Sequence, residues 1–346
     1  MSSPLLCKVA AAFLLAGLTH AAAPAAVLFA TGFETDDSAA FVTRTTGNTE
    51  LLWTYDYSTF SPTLGLSTPA SITQAPTTPV GITTTRGLRI RANHISPSIF
   101  IEGAATIFPN AGVGLSQYTV KFDAFLCYNG NNATQYMTIG GHSDATLPTA
   151  GFVNPFTGFF VSFSGDGQGG ASADVLYYQG SGGIVYGGSN TTGLPAGGPP
   201  FFGTWNEVPN LFGKLDPSGT IANENRDYLG ADWGTFLTTP PFLTPRKLGK
   251  TWITVTMEVV GQRVRITLDP DGNASLGGPA GPVVVADFIL PSTAPISGYP
   301  MIGYWDPFAS VETVEGNDLF LLIDNFVLSD TATSSAKTLD GWVRYE

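Results

Sequence analysis

Cysteine and histidine are almost missing from these 346 residues. Cys7 and Cys127 are the only thiols, and His20, His94 and His142 the only imidazoles. They cannot build a disulfide framework or a Cys/His zinc site. Charge is also scarce, at 12% of residues, and it is lopsided: 15 Lys and Arg stand against 27 Asp and Glu, a formal net charge of −12. That balance excludes nucleic acid and anionic membrane as partners, because both repel an acidic face. After the first residues no apolar run reaches the roughly 20 positions a spanning helix needs, so no membrane span is expected. There is no internal repeat, no G-x-S-x-G nucleophile motif and no LPxTG-type sorting signal.

What the chain does hold is a leader, strands and turns. Lys8 precedes VAAAFLLAGL, an apolar stretch, and then the small residues THAAAPAA. This is the pattern of a secretory signal peptide over residues 1–23, with cleavage expected between Ala21 and Ala26. The protein is therefore expected outside the cell or at its surface, with Cys127 its one remaining thiol. Gly (41) and Pro (25) punctuate runs rich in aromatic and β-branched residues. That composition predicts an all-β, two-sheet antiparallel sandwich, and 43% apolar residues suffice to fill its core.

The pattern along the chain agrees. In SQYTVKFDAFLCY, Tyr118, Val120, Phe122, Ala124 and Leu126 alternate with Thr119, Lys121 and Asp123, a half-buried strand. In LLWTYDYSTF, Trp53, Tyr55 and Tyr57 stand two apart, which puts them on one strand face. GFFVSFS and ADVLYYQG read as a hairpin around a Gly-rich loop. In TWITVTMEVVGQRVRITLDPDG, Gly261-Gln262 suits a two-residue II′ turn. That register sets Glu258 opposite Arg265 and Val259 opposite Val264, a cross-strand ion pair and no catalytic acid.

One stretch breaks the rhythm. Residues 180–204 contain nine Gly and three Pro, and irregularity runs on to about residue 245. The rings it carries, among them Phe201, Trp205 and Trp233, predict an ordered excursion packed on the sandwich. The organisation expected is one domain over 24–330, with the excursion at 180–245 and a polar tail at 331–346.

The segments YTVKFDAFL, WITVTMEVVGQRVRITLDPDG and MIGYWDP…LFLLIDNFVLS together resemble the concanavalin A-like lectin/glucanase superfamily, in its laminin G-like form. The resemblance implies a jelly roll over about residues 27–330. It does not imply one activity, because this fold hosts lectins, hydrolases, lyases and adhesion modules. The E-x-D-x-x-E signature of laminarinase-type glucanases begins here as Glu34-Thr35-Asp36 but ends on Ala39. Its second acid is missing. His142, in TIGGHSD, reads as a surface-turn histidine at a strand end.

Two kinds of site stay open. Sugar rings stack on aromatic faces, and the candidates are Trp53, Tyr55, Tyr57, Trp205, Trp233, Tyr304 and Trp305. The plainer role for each ring is core filling. The second site begins with Asp324, a lone carboxylate in the apolar run LFLLIDNFVLSD, where a bare charge would cost several kcal/mol, about the price of a lost buried partner. In a jelly roll the first and last strands lie side by side, which would bring Glu34 near Asp324. Related modules hold a structural calcium ion there, so the resemblance implies Ca2+ between Glu34 and Asp324. Alternatively, Asp324 accepts backbone N–H groups beside Asn325. The acidic turn DPDGNAS (269–275) is a further calcium-loop candidate or a plain hairpin turn. The function expected is a secreted, non-catalytic module that binds a glycan or another extracellular polymer. The alternatives are a polysaccharide lyase or glycoside hydrolase with an unrecognised site, and a structural surface or matrix protein.

Overall fold

The computed structural model describes residues 25–60, 72, 74, 75, 84–92, 103–127, 136–145, 157–164, 175–180, 252–269, 283–290, 292, 294–306 and 319–330. Trp205, Trp233, the 180–245 excursion beyond Gly180, the leader and the tail lie outside them, as do residues 270–275 of the acidic turn.

The described chain is built from strands: β1 (Val27–Thr31), β2 (Phe41–Thr46), β3 (Thr49–Asp56), β4 (Arg86–Ala92), β5 (Gly103–Pro109), β6 (Gln117–Cys127) and β7 (Tyr136–Ser143). They continue with β8 (Gly158–Ser164), β9 (Val175–Gly180), β10 (Trp252–Val260), β11 (Arg263–Asp269), β12 (Val283–Ile289), β13 (Tyr299–Asp306) and β14 (Phe320–Ser329). The larger sheet runs β12-β11-β10-β6-β14-β4-β3, with β1 on β14 beyond the end of β4; the smaller runs β2-β5-β13-β7-β8-β9. Every pairing is antiparallel. The architecture is a jelly-roll sandwich of the kind the resemblance implies. Among the described residues no helix is long and apolar enough to cross a membrane.

The main core lies between the sheets. Leu88, Ile90, Val120, Phe122, Val255, Met257, Leu321 and Ile323 of the larger sheet meet Ile107, Ile139, Val161 and Ile302 of the smaller. Each such side chain contributes about 1.5–3 kcal/mol by leaving water. A second cluster covers the outer face of the larger sheet. There Phe60, Ile72 and Ala75 pack with Tyr57 on Phe125, Cys127, Trp252, Phe320 and Leu322. Strand β14 is therefore apolar on both faces, which explains the unbroken run from Leu319 to Ile323.

The β10–β11 hairpin has the expected register, with Glu258 opposite Arg265 and Val259 opposite Val264. Gly261 takes φ 58° at the turn, which a side chain rarely adopts. β8 pairs with β9, and β1 lies against β14.

Two expectations need correction. Trp53 and Tyr55 do not share a face, because Thr54 takes φ 83° and the β3–β4 register slips between Leu52 and Tyr55. This one-residue bulge leaves Trp53 on the inter-sheet core, against Phe33 and Phe41, and turns Tyr55 to the outer cluster. His142 is no surface residue: it is 1% exposed and takes φ 54° at the end of β7.

Candidate functional site

The outer face of the larger sheet carries the polar chemistry. At its centre β14 and β6 set Asp324 directly opposite Asp123. Both are buried, at 3% and 0% exposure. Like charges this close need donors, and each oxygen has one, three from the sheet and one from the turn after β3. Thr254 Oγ1 donates to Asp123 Oδ1 (2.6 Å), and Asn325 Nδ2 donates to Asp123 Oδ2 (2.8 Å). The Asn325 backbone N–H donates to Asp324 Oδ1 (2.7 Å), and Tyr57 Oη donates to Asp324 Oδ2 (2.9 Å). Tyr57 Oη in turn accepts the Ala75 N–H (3.3 Å).

The local geometry comes from a second bulge. The β6–β14 register shifts between Asp324 and Val327, and Asn325 takes φ 53°. Asn tolerates that conformation better than most residues. The bulge keeps Asp324 outward while returning Phe326 and Leu328 to the inter-sheet core. Burial pushes the Asp324 carboxyl up to about 7. The bonds from Tyr57 and Asn325 pull it down, and the charges of Asp123 and Glu34 push it further up. Burial, with the neighbouring Asp324 charge, pushes the Tyr57 phenol up as well.

Glu34 sits in the turn after β1, where Thr84 Oγ1 donates to its Oε1. Its pKa is raised by burial against the pull of Arg86. Arg86 is the cation beside it, while Arg44 serves elsewhere, donating to the carbonyl of Ala145.

These residues do not fit a calcium ion. Calcium takes six to eight oxygens free to face it. Both Asp324 oxygens, and Oε1 of Glu34, are already turned to hydrogen-bond donors. Among the described residues no three His, Cys, Asp or Glu side chains converge in a metal-holding group.

Toward the β3–β4 edge of the same face stands a second array. Arg89 lies over the ring of Tyr55, its Cζ 4.1 Å from the centroid, and 6.0 Å from that of Phe320. Glu50 Oε2 takes Arg89 Nη2 at 3.1 Å and Arg91 Nη2 at 2.6 Å. Burial pushes the Tyr55 phenol up against the pull of Arg89. Burial and the like charge of Arg89 lower the Arg91 pKa, with Glu50 opposing. The result is a half-buried ring beside fixed charged groups, with Leu52 exposed next to it at 37%.

The expected aromatic platform thus divides. Tyr57 and Tyr304 are 0% exposed and Trp305 is 2% exposed, so none offers a ring face to a ligand. Tyr304 fills the inter-sheet core, and Trp305 packs with Tyr136 and Phe160 on the outer side of the smaller sheet. Trp53 is half-buried on the core, and Tyr55 is the half-buried candidate that stands beside charged groups among the described residues. Asp123, Glu50 and Arg89 were missed. The alternation in YTVKFDAFL marks Asp123 as outward, but its partner Asn325 lies 202 residues away.

No protein-family model matches the chain, and no curated protein matches it. Solved structures similar to it include the VIP36 exoplasmic/lumenal domain in its Ca2+-bound form, with 10% identity, 87% of this chain and 88% of that chain covered, and a TM-score of 0.39. The Emp46p carbohydrate recognition domain in its metal-free form gives 7% identity, coverages of 87% and 95%, and a TM-score of 0.39. The conserved carbohydrate esterase vb_24B_21 from the Shiga toxin-encoding bacteriophage phi24B gives 10%, 88% and 99%, and 0.35. At such low scores the fold rests on strand order and register, and nothing about the site is taken from these relatives.

Proposed function

We propose that the protein is exported and binds a glycan, without reacting it, on the outer face of the larger sheet near the β3–β4 edge. The observation that carries this reading is the Tyr55–Arg89–Glu50 array. A sugar presents an apolar C–H flank and a rim of hydroxyls, so it needs apolar surface next to donors and acceptors already held in place, here Tyr55 and the exposed Leu52 beside Arg89 and Glu50. Arg89 and Glu50 fix one another, so ordering them costs little on binding. A glycan array on the mature protein, with and without calcium, tests the reading. Binding should weaken about tenfold in Tyr55→Ala, the loss of one ring contact worth roughly 1.4 kcal/mol. Capture that survives both Tyr55→Ala and Arg89→Ala would move the site elsewhere.

A hydrolase is the second reading, and the Asp123–Asp324 pair favours it. A carboxyl raised to about 7 beside a second acid is the acid–base arrangement glycosidases use. Its burial under Tyr57 and the donors on all four oxygens favour a structural role. Reducing-end release from a polysaccharide panel, lost in Asp123→Asn, would reverse that order.

A further inference from the structure

His142 is buried at the end of the sandwich where the tip of the β10–β11 hairpin, in the larger sheet, meets β7 of the smaller. Its Nε2 lies 2.9 Å from the carbonyl oxygen of Gly261, in the hairpin turn. A carbonyl can only accept, so the Nε2 nitrogen carries the hydrogen. The other nitrogen, Nδ1, is buried with no hydrogen-bond partner. The ring stands edge-on to Tyr118 at 6.1 Å and Phe159 at 5.7 Å.

The backbone cannot easily relax around it. His142 holds φ 54°, and a Cβ added at Gly158 or Gly298 would fall 2.7 Å or 2.4 Å from its carbonyl carbon. Neither flank has room to move. Around the ring, β6 contributes Tyr118 and β8 contributes Phe159, and the hairpin turn contributes a carbonyl. The nearest carboxylates along the chain, Asp144 just after β7 and Glu258 of β10, are both exposed. Arg263, the next charged residue along the hairpin, is cationic and cannot stabilise a second cation.

We propose that His142 is an acid-released latch: neutral, it bonds the β10–β11 hairpin to the smaller sheet, and protonated it lets the hairpin tip go. An imidazolium here would carry a buried Nδ1–H with no acceptor, between the rings of Tyr118 and Phe159. Burial accordingly lowers the His142 pKa, against the pull of the Gly261 carbonyl. The direction of the linkage follows. Above the ordinary value of 6.5 the latched and open forms are both neutral, and pH has no effect. Below it the open form takes up the proton first, so the latch weakens as pH falls.

Amide hydrogen exchange on the mature chain reads this directly. The Gly261 N–H bonds Ser116 O, and the Leu290 N–H bonds Gln262 O, so both report the hairpin tip. After correction for intrinsic exchange, their protection should fall by up to about tenfold per pH unit below about pH 6.5. In His142→Gln the carboxamide can still donate to Gly261 without titrating, and protection should be independent of pH. Unchanged protection in the wild type, or the same acid loss in His142→Gln, would overturn the latch. Should that variant not fold, ring 15N shifts of the wild type decide. A neutral Nε2–H tautomer that persists below the ordinary range, with tip exchange rising as it disappears, supports the latch. An imidazolium formed at ordinary pH beneath a fully protected tip refutes it.

Discussion

Asp324 shows how a charge survives in an apolar strand. Its carboxylate is held by a phenol from a segment 267 residues earlier and by the backbone N–H of its own neighbour. The apolar run announces that Asp324 needs a partner, because an unpaired charge there would be too costly. Tyr57 cannot be identified that way: its spacing from Trp53 and Tyr55 reads as a surface strip. The pair sets a pH dependence. The folded carboxyl titrates at about 7, against 3.8 unfolded, so its stabilising effect is full below 3.8 and lost as pH rises through about 7. The unfolding free energy from urea titrations should therefore fall between about pH 4 and about pH 7, by a few kcal/mol at most, and level off above that. Asp324→Asn should remove that slope and be at least as stable as the wild type at the alkaline end. An unaltered slope in the variant would assign the titration to another group.

At the scale of elements, alternation carried most of the information. The β10–β11 register is legible because Gly261 marks the turn and both strands keep strict period two. The pairing of β1 with β14 follows from the topology expected of the fold. The two bulges are not legible, since each turns on one residue's backbone, Thr54 or Asn325. Each resets which residues face out, and so decides where the site lies. Asn325 does two things at once, taking φ 53° and donating to Asp123. Asn325→Ala should lose about 2–4 kcal/mol, from left-handed strain and a buried carboxylate short of a donor. Asn325→Gly relieves only the strain and should recover roughly 1 kcal/mol of it. Chemical denaturation of the two variants checks this; equal losses would mean that strain plays no part.

Across the whole molecule, the outer face of the larger sheet divides into an apolar cover over Phe125, Trp252, Phe320 and Leu322, a carboxylate row, and the charged array at the β3–β4 edge. With a formal charge of −12 and no disulfide within the described sandwich, a bound divalent cation would be a natural stabiliser. The geometry argues against one at Glu34 and Asp324, because an ion there would have to displace Tyr57, Thr84 and the Asn325 amide. Glu34→Gln should therefore leave the response of the melting midpoint to a chelator unchanged. A structural ion present at a hundredfold over its dissociation constant contributes about 2.7 kcal/mol, which at this size moves a midpoint by several degrees, so the measurement is decisive. A drop on chelation that disappears in Glu34→Gln would restore the ion between β1 and β14. A drop that persists in that variant would instead place it elsewhere, with the acidic turn at 269–275 the next position to mutate, beginning with Asp269 and Asp271.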